Sequence, residues 1–251
     1  MKTLQKRIIL GLMVLVAVSA FAFSQDFASE YNNLKTVVYN NLTSTEAEVN
    51  AAYARAAKLV STKVESAQID YLAGFYYMNI DNKAKAGEYY TSALDKAKAS
   101  FEESPTAEAY CIYAEALSQN CTVQSSAYMV SNGTKVPNFA KKALAIDPKC
   151  AGASYSLACY SIYAPAPFTN LKKGLKILDS TIETSNLDTD DLFNYYSTYA
   201  YVAIKQKDFK LADAYCAKAA EIYPNNKDLK MLQAHQTKTY GDDIDTSAVK
   251  E

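Results

Sequence analysis

The sequence predicts an all-α fold in which antiparallel helix pairs stack one on the next as a solenoid. Three observations carry that expectation. Apolar residues recur at helical spacing in segment after segment, as in Phe27, Tyr31, Leu34 and Val38. Helix breakers are scarce, with only 7 Gly and 6 Pro in 251 residues. Small residues also return at long, similar intervals: Gly74, Ala114, Ala158 and Ala200 are 40, 44 and 42 residues apart.

Residues 1–24 form the first unit. Lys2, Lys6 and Arg7 precede the apolar run IILGLMVLVAVSAFAF, and small residues stand at Ala20, Ala22 and Ser24. This is the pattern of a secretory signal peptide cleaved after Ala22 or Ser24. The rival is a retained anchor, but the run falls short of the roughly 18 to 20 apolar residues that a spanning helix needs. The mature chain is therefore expected in a periplasm or outside the cell, with no membrane span. Cleavage removes three of the 26 basic residues and none of the 27 acidic ones, leaving a net charge near −4. A mildly acidic chain lacks the basic stripe that phosphate backbones demand, so nucleic acid is not an expected partner.

The helical domain is expected over 25–240. A first helix covers Asp26 to Tyr39, and Asn40-Asn41 ends it. Thr43 and Glu46 stand at capping-box spacing, predicting a second helix that runs to about Thr62. The next pair carries Ala73-Gly74, Tyr77, Ala86, Tyr90 and Ala93, and its second helix continues to Ser104. Ser104 is the expected cap of the following helix, with Pro105 in its first turn. That helix contains Tyr110, Tyr113-Ala114 and Leu117, and its partner ends with Ala140, Ala143 and Pro148. The long segment from Cys121 to Val136 separates the two. A fourth pair is marked by Ser154, Leu157-Ala158, Gly174, Leu178 and Thr181, and APAPFTN interrupts it with helix-breaking prolines. The acids Asp188, Asp190 and Asp191 suit the start of a helix, whose positive end they complement. Lys227 to Thr239 reads as a terminal capping helix, and 241–251 as a disordered tail.

The stretch from Asp191 to Asn226 gives the clearest single unit. It sets Tyr196, Tyr199-Ala200 and Ala203 on one helix, Asp208-Phe209 in the turn, Ala212, Cys216 and Ala219 on the second helix, and Pro224 after it. The spacings of Ala73-Gly74 through Ala93 are the same. This resembles the tetratricopeptide (TPR) pattern, with Tyr196, Ala200, Ala203 and Cys216 replacing the family's usual Trp, Gly, Tyr and Phe. Asp70 takes the Trp position in the earlier unit, which is a poor match. The intervals of 40 to 44 residues exceed the TPR length and approach the HEAT or armadillo length. The TPR resemblance is preferred because spacing within two units is intact and the excess falls in a lengthened helix or a visible loop.

In the TPR family the first helix of each pair lines a concave binding surface. The resemblance therefore implies that Tyr71, Phe75, Met78, Cys111, Glu115, Tyr155, Cys159, Ile162, Tyr201 and Lys205 face a partner. The family's carboxylate-clamping groove uses Lys, Arg and Asn. The matching places here hold Tyr71, Phe75, Cys111 and Ile112, so an apolar peptide segment or a ligand with a flat face is the expected occupant. The expected function is a noncatalytic scaffold for a protein or peptide partner in the cell envelope. One alternative is a carrier or transporter-associated subunit for an apolar small molecule, similar to the periplasmic TPR subunits of tripartite transporters. The other is an all-α hydrolase acting through two carboxylates. A single histidine, His235, excludes a Ser-His-Asp, Cys-His or multi-histidine metal site by count, and no cofactor is expected. Among the five cysteines, Cys121 and Cys150 could approach as a disulfide, whereas Cys111, Cys159 and Cys216 read as small buried hydrophobes.

Overall fold

A computed structural model of the chain describes residues 27–237, and every regular element among them is helical. The expected signal peptide and the expected tail lie outside these residues. The first helix, α1, covers 27–39. It is followed by α2 (Glu46–Ala57), α3 (Lys63–Asn79), α4 (Lys83–Glu103), α5 (Ala107–Val123), α6 (Ser126–Asn132), a 3-10 turn (Gly133–Lys135), α7 (Val136–Ile146), α8 (Ala151–Tyr163), α9 (Leu171–Thr184), α10 (Thr189–Lys205), α11 (Phe209–Ile222) and α12 (Lys227–Gln233).

Local hydrogen bonding decides where these helices start, and it corrects several sequence boundaries. Thr45, not Thr43, caps α2: its side chain accepts from the Glu48 N–H, and the Glu48 carboxylate accepts from the Thr45 N–H at 2.7 Å. Glu46 is engaged elsewhere, accepting from the Tyr77 hydroxyl at 2.8 Å and from Lys85 at 2.9 Å. The helix ends at Ala57 rather than near Thr62, because Thr62 and Glu65 form the capping box of α3. Ser104 does not cap α5. Preceding Pro105, it is pushed out of helical geometry into an extended conformation, and Thr106 accepts from the Ala109 N–H instead. Asp188 and Asp191 form a capping box at the start of α10, the acidic helix start that the sequence implied. The helix expected to reach Thr239 stops at Gln233, two residues before His235 adopts a left-handed backbone with φ 55°.

The packing follows the small residues. Ala86, Ala93, Ala114, Ala158, Ala200, Ala212 and Ala219 are fully buried. At Gly74 an added Cβ would lie 2.7 Å from two ring carbons of Tyr90, so α3 and α4 cross where only glycine fits. Helices α3, α5, α8 and α10 touch in succession, forming an inner row, and α4, α7, α9 and α11 pack on its outer side. Asp70, the poor match in the expected repeat, is buried, and it accepts hydrogen bonds from the Tyr53 hydroxyl at 2.6 Å, Ser92 at 2.6 Å and Lys96 at 2.5 Å. This three-donor polar knot ties α2 and α4 to α3.

Two features were not expected. Helix α1 lies against the inner row: its Tyr39 ring stacks on Tyr223 at 4.8 Å and packs on Phe75 of α3 at 5.3 Å and Phe193 of α10 at 5.5 Å. Lys35 on the same helix pairs with Asp188 at 3.1 Å and with Asp190. The two ends of the helical series also meet. The Leu42 N–H donates to the Asn225 carbonyl, the Asn226 side chain donates to the Tyr39 carbonyl, and the Lys227 N–H donates to Asn41, all at 2.9 to 3.0 Å.

Candidate functional site

Between the inner row, α1 and α12 lies a cavity of about 650 Å³. That volume falls within the range of sites that enclose small ligands. Tyr71, Phe75 and Met78 of α3, Tyr155 and Cys159 of α8, and Tyr201 of α10 line it. Of the residues implied by the repeat resemblance, these six come together around one space.

The other four do not line it. Ile162 points away, buried where a Cβ on Gly174 of α9 would meet its side chain at 2.4 Å. Lys205 is exposed, with its ammonium 5.7 Å from the Tyr201 ring centre. Cys111 and Glu115 precede the cavity-lining part of α5, which begins at Ser118, and they face α8 at Gly152. The Cys111 thiol donates to the Glu115 carboxylate at 3.6 Å.

The remaining wall comes from places where the repeat pattern is interrupted. Met129 and Val130 of α6, with Gly133 and Thr134, form one side, and Ala164 to Phe168 form another. The inserted segments are thus part of the site, and α1 adds Tyr39. Sequence reasoning marked both insertions as irregular but had no signal for their convergence, because that depends on contacts between distant helices.

The cavity is electrically quiet. Tyr155 and Tyr163 both reach the Thr198 hydroxyl, at 2.9 and 3.1 Å. Burial pushes the Tyr155 phenol well above its usual range, the Cys121 thiol up to about 11 and the Cys159 thiol up to about 12. Each is therefore neutral near pH 7. Among the described lining residues, Asp228 is the only one that ordinarily carries charge. Asn194 of α10 donates to the Tyr39 hydroxyl at 3.1 Å and so links α10 to α1.

No protein-family model, curated protein or solved structure matches this chain. The reading of the site rests on its geometry.

Glu115, beside the cavity, has a carboxyl raised to about 8, chiefly by its withdrawal from water, with Cys150 and Asp191 adding to the effect. Its folded pKa exceeds its ordinary 4.5, so between those values the folded chain holds a proton that the unfolded chain has released. Stability from this group is present below pH 4.5 and lost as the pH rises towards 8. Glu115→Gln should accordingly melt at a higher temperature than wild type at pH 9 and at nearly the same temperature at pH 5. An identical difference at both pH values would contradict this account.

Proposed function

We propose that this chain is an exported, noncatalytic TPR-like scaffold whose inner cavity takes a neutral small molecule with a broad apolar face. The observation that carries this reading is an aromatic, nearly uncharged cavity of about 650 Å³, to which α1 adds Tyr39 and the C-terminal end adds Asn226, Met231 and Leu232. A space walled from both ends of the chain favours a compact ligand over an extended peptide. Flat rings such as Tyr71, Phe75 and Tyr155 offer wide contact with little rotamer entropy to lose. The single wall carboxylate, Asp228, supplies one of the two that acid-base glycoside cleavage requires, which favours binding over hydrolysis.

A protein partner is supported by a separate observation at the edge of the same space. Val130 and Phe168 line the cavity while remaining 55% and 50% exposed, an apolar rim suited to a protein that delivers or receives the ligand.

Titration with neutral N-phenyl-1-naphthylamine tests the cavity reading. The wild-type chain should give saturable, blue-shifted fluorescence. Ser197→Trp and Ser118→Trp, which place an indole in the cavity from two different helices, should each reduce binding at least tenfold with the helical circular dichroism retained. Equal binding by wild type and both folded variants would refute the assignment.

A further inference from the structure

We propose that Tyr39 and Asn194 form a polar anchor for a single hydroxyl group, so that the ligand of the cavity is an apolar alcohol. The inference rests on the cavity reading above and narrows it to one class of small molecule.

The anchor joins two helices. Tyr39 ends α1, Asn194 stands early in α10, and both line the cavity. Phe75, Phe193 and Tyr223 pack around the Tyr39 ring, and its hydroxyl accepts from the Asn194 side chain at 3.1 Å. Among the described residues, the phenol proton has no acceptor and the Asn194 Oδ1 has no donor. The pair therefore keeps one donor and one acceptor side by side. Turning the amide over only exchanges the roles: the phenol then donates to Oδ1, its oxygen is open to a donor, and the amide N–H groups are open to an acceptor. In both arrangements the complement is a group that accepts one hydrogen bond and donates another, as a hydroxyl does. A ketone or an ether satisfies only half of the pair.

Burial sets this pair apart from other polar groups on the wall. Tyr39 is 5% exposed, whereas Gln236 is open to water and the Thr122 hydroxyl already donates to the Gln119 carbonyl at 2.7 Å. Ser197 and Thr198 follow Asn194 on the same face of α10. Tyr155 and Tyr163 occupy the Thr198 hydroxyl, but the buried Ser197 hydroxyl has no partner among the described residues. Buried polar groups seldom stay so. Rotation of Ser197 towards a group held at Asn194 would cost it no hydrogen bond.

Charge selects against acids. None of the described lining residues is Lys, Arg or His, and Asp228 is itself an acid. A carboxylate or phosphate brought to this wall would be withdrawn from water without a counter-charge. The lining thiols Cys121 and Cys159 are free, Cys121 not being joined to Cys150, and thiols are weak hydrogen-bonding groups. A neutral hydroxyl at Tyr39 and Asn194 leaves the ligand's apolar body to Tyr71, Phe75 and Met78.

Paired titrations of the chain with 1-pyrenemethanol and 1-ethylpyrene, followed by pyrene fluorescence, test the anchor. The probes share a flat apolar body and differ by a hydroxyl in place of a methyl group. Tyr39→Phe and Asn194→Leu should each weaken pyrenemethanol binding roughly fivefold, the size of one uncharged hydrogen bond, and leave ethylpyrene binding within about twofold. A purely structural role would move both probes together. If the variants change both probes equally, or change neither, the anchor is overturned and the cavity reading stands. Binding of ethylpyrene alone by the wild type overturns the anchor as well. Failure of the wild type to bind either probe overturns the cavity reading and the anchor with it. If Asn194→Leu does not fold, Tyr39→Phe, which keeps the packed ring, decides the matter.

Discussion

Asp70→Ala is expected to destabilise the chain by about 3 kcal/mol, the lower end of the cost of breaking a buried charge pair. Asp70 is 1% exposed and accepts from Tyr53, Ser92 and Lys96, which belong to α2 and α4. Truncation leaves the Tyr53 and Ser92 hydroxyls short of an acceptor and the Lys96 ammonium without its counter-charge. The Lys96 side chain is 36% exposed and can turn to water, which is why the lower end applies. Asp70→Asn keeps the volume and one acceptor oxygen, so it should cost roughly half as much. Urea unfolding at pH 7 measures both variants. A cost below about 1 kcal/mol for the alanine change would mean that the knot adds little beyond packing.

Lys35→Met should have a comparable effect, about 3 kcal/mol, for a different reason. The Lys35 side chain is 14% exposed and lies between Asp188 and Asp190, and Asp190 also accepts from the Tyr223 hydroxyl. Without the ammonium, Asp190 stays buried beside other acids at the start of α10. The loss should have a characteristic pH window. Burial works against the Lys35 charge, but Asp190 and Asp188 outweigh it and hold its pKa above 10.5. Its contribution is therefore complete below 10.5 and disappears as the pH rises through the folded value. Asp188 is likewise pushed up by burial, yet the Asp191 N–H and Lys35 hold it below 3.8, so its share is present above 3.8 and is lost on further acidification. Lys35 also lowers Asp191, whose carboxyl burial raises to about 6, so the difference between variant and wild type should grow as the pH rises through that value and shrink at both extremes. Because α1 carries Tyr39 into the cavity, naphthylamine binding should weaken as well. Unfolding curves that run parallel across the whole pH range would defeat the ion-pair explanation.

The helices were legible in the sequence because burial imposes a period, and the positions of Ala86, Ala158 and Ala212 follow directly from close helix contact. Their boundaries were less legible. Thr43 with Glu46 and Thr45 with Glu48 satisfy the same capping rule, and only the demands of Tyr77 and Lys85 on Glu46 separate the two. Asp70 read as a flaw in the repeat because its three donors are separated from it by 17 to 26 residues. The cavity was legible in part. Tyr71, Phe75 and Tyr155 were implied by the repeat resemblance, but Tyr39 and the wall from Ala164 to Phe168 depend on the path of the whole chain. Ile162 shares the period of the lining residues, and the gap at Gly174 turns it outward instead.

The meeting of the two ends also bears on biogenesis. Asn226 bonds to Tyr39 across 187 residues of chain, and the Asn225 N–H bonds to Asn40 across 185. During synthesis at roughly 5 to 20 residues per second, the first helix would wait on the order of ten to forty seconds for these partners. Until then Tyr39 would have Phe75 of α3 beside it but not its stacking partner Tyr223. A chain truncated before Asn225 should keep its middle helix pairs and the ring partners of Tyr39, but the end of its first helix would lose the hydrogen bonds that Asn225, Asn226 and Lys227 make to it and to the turn that follows, and should become more open to proteolysis.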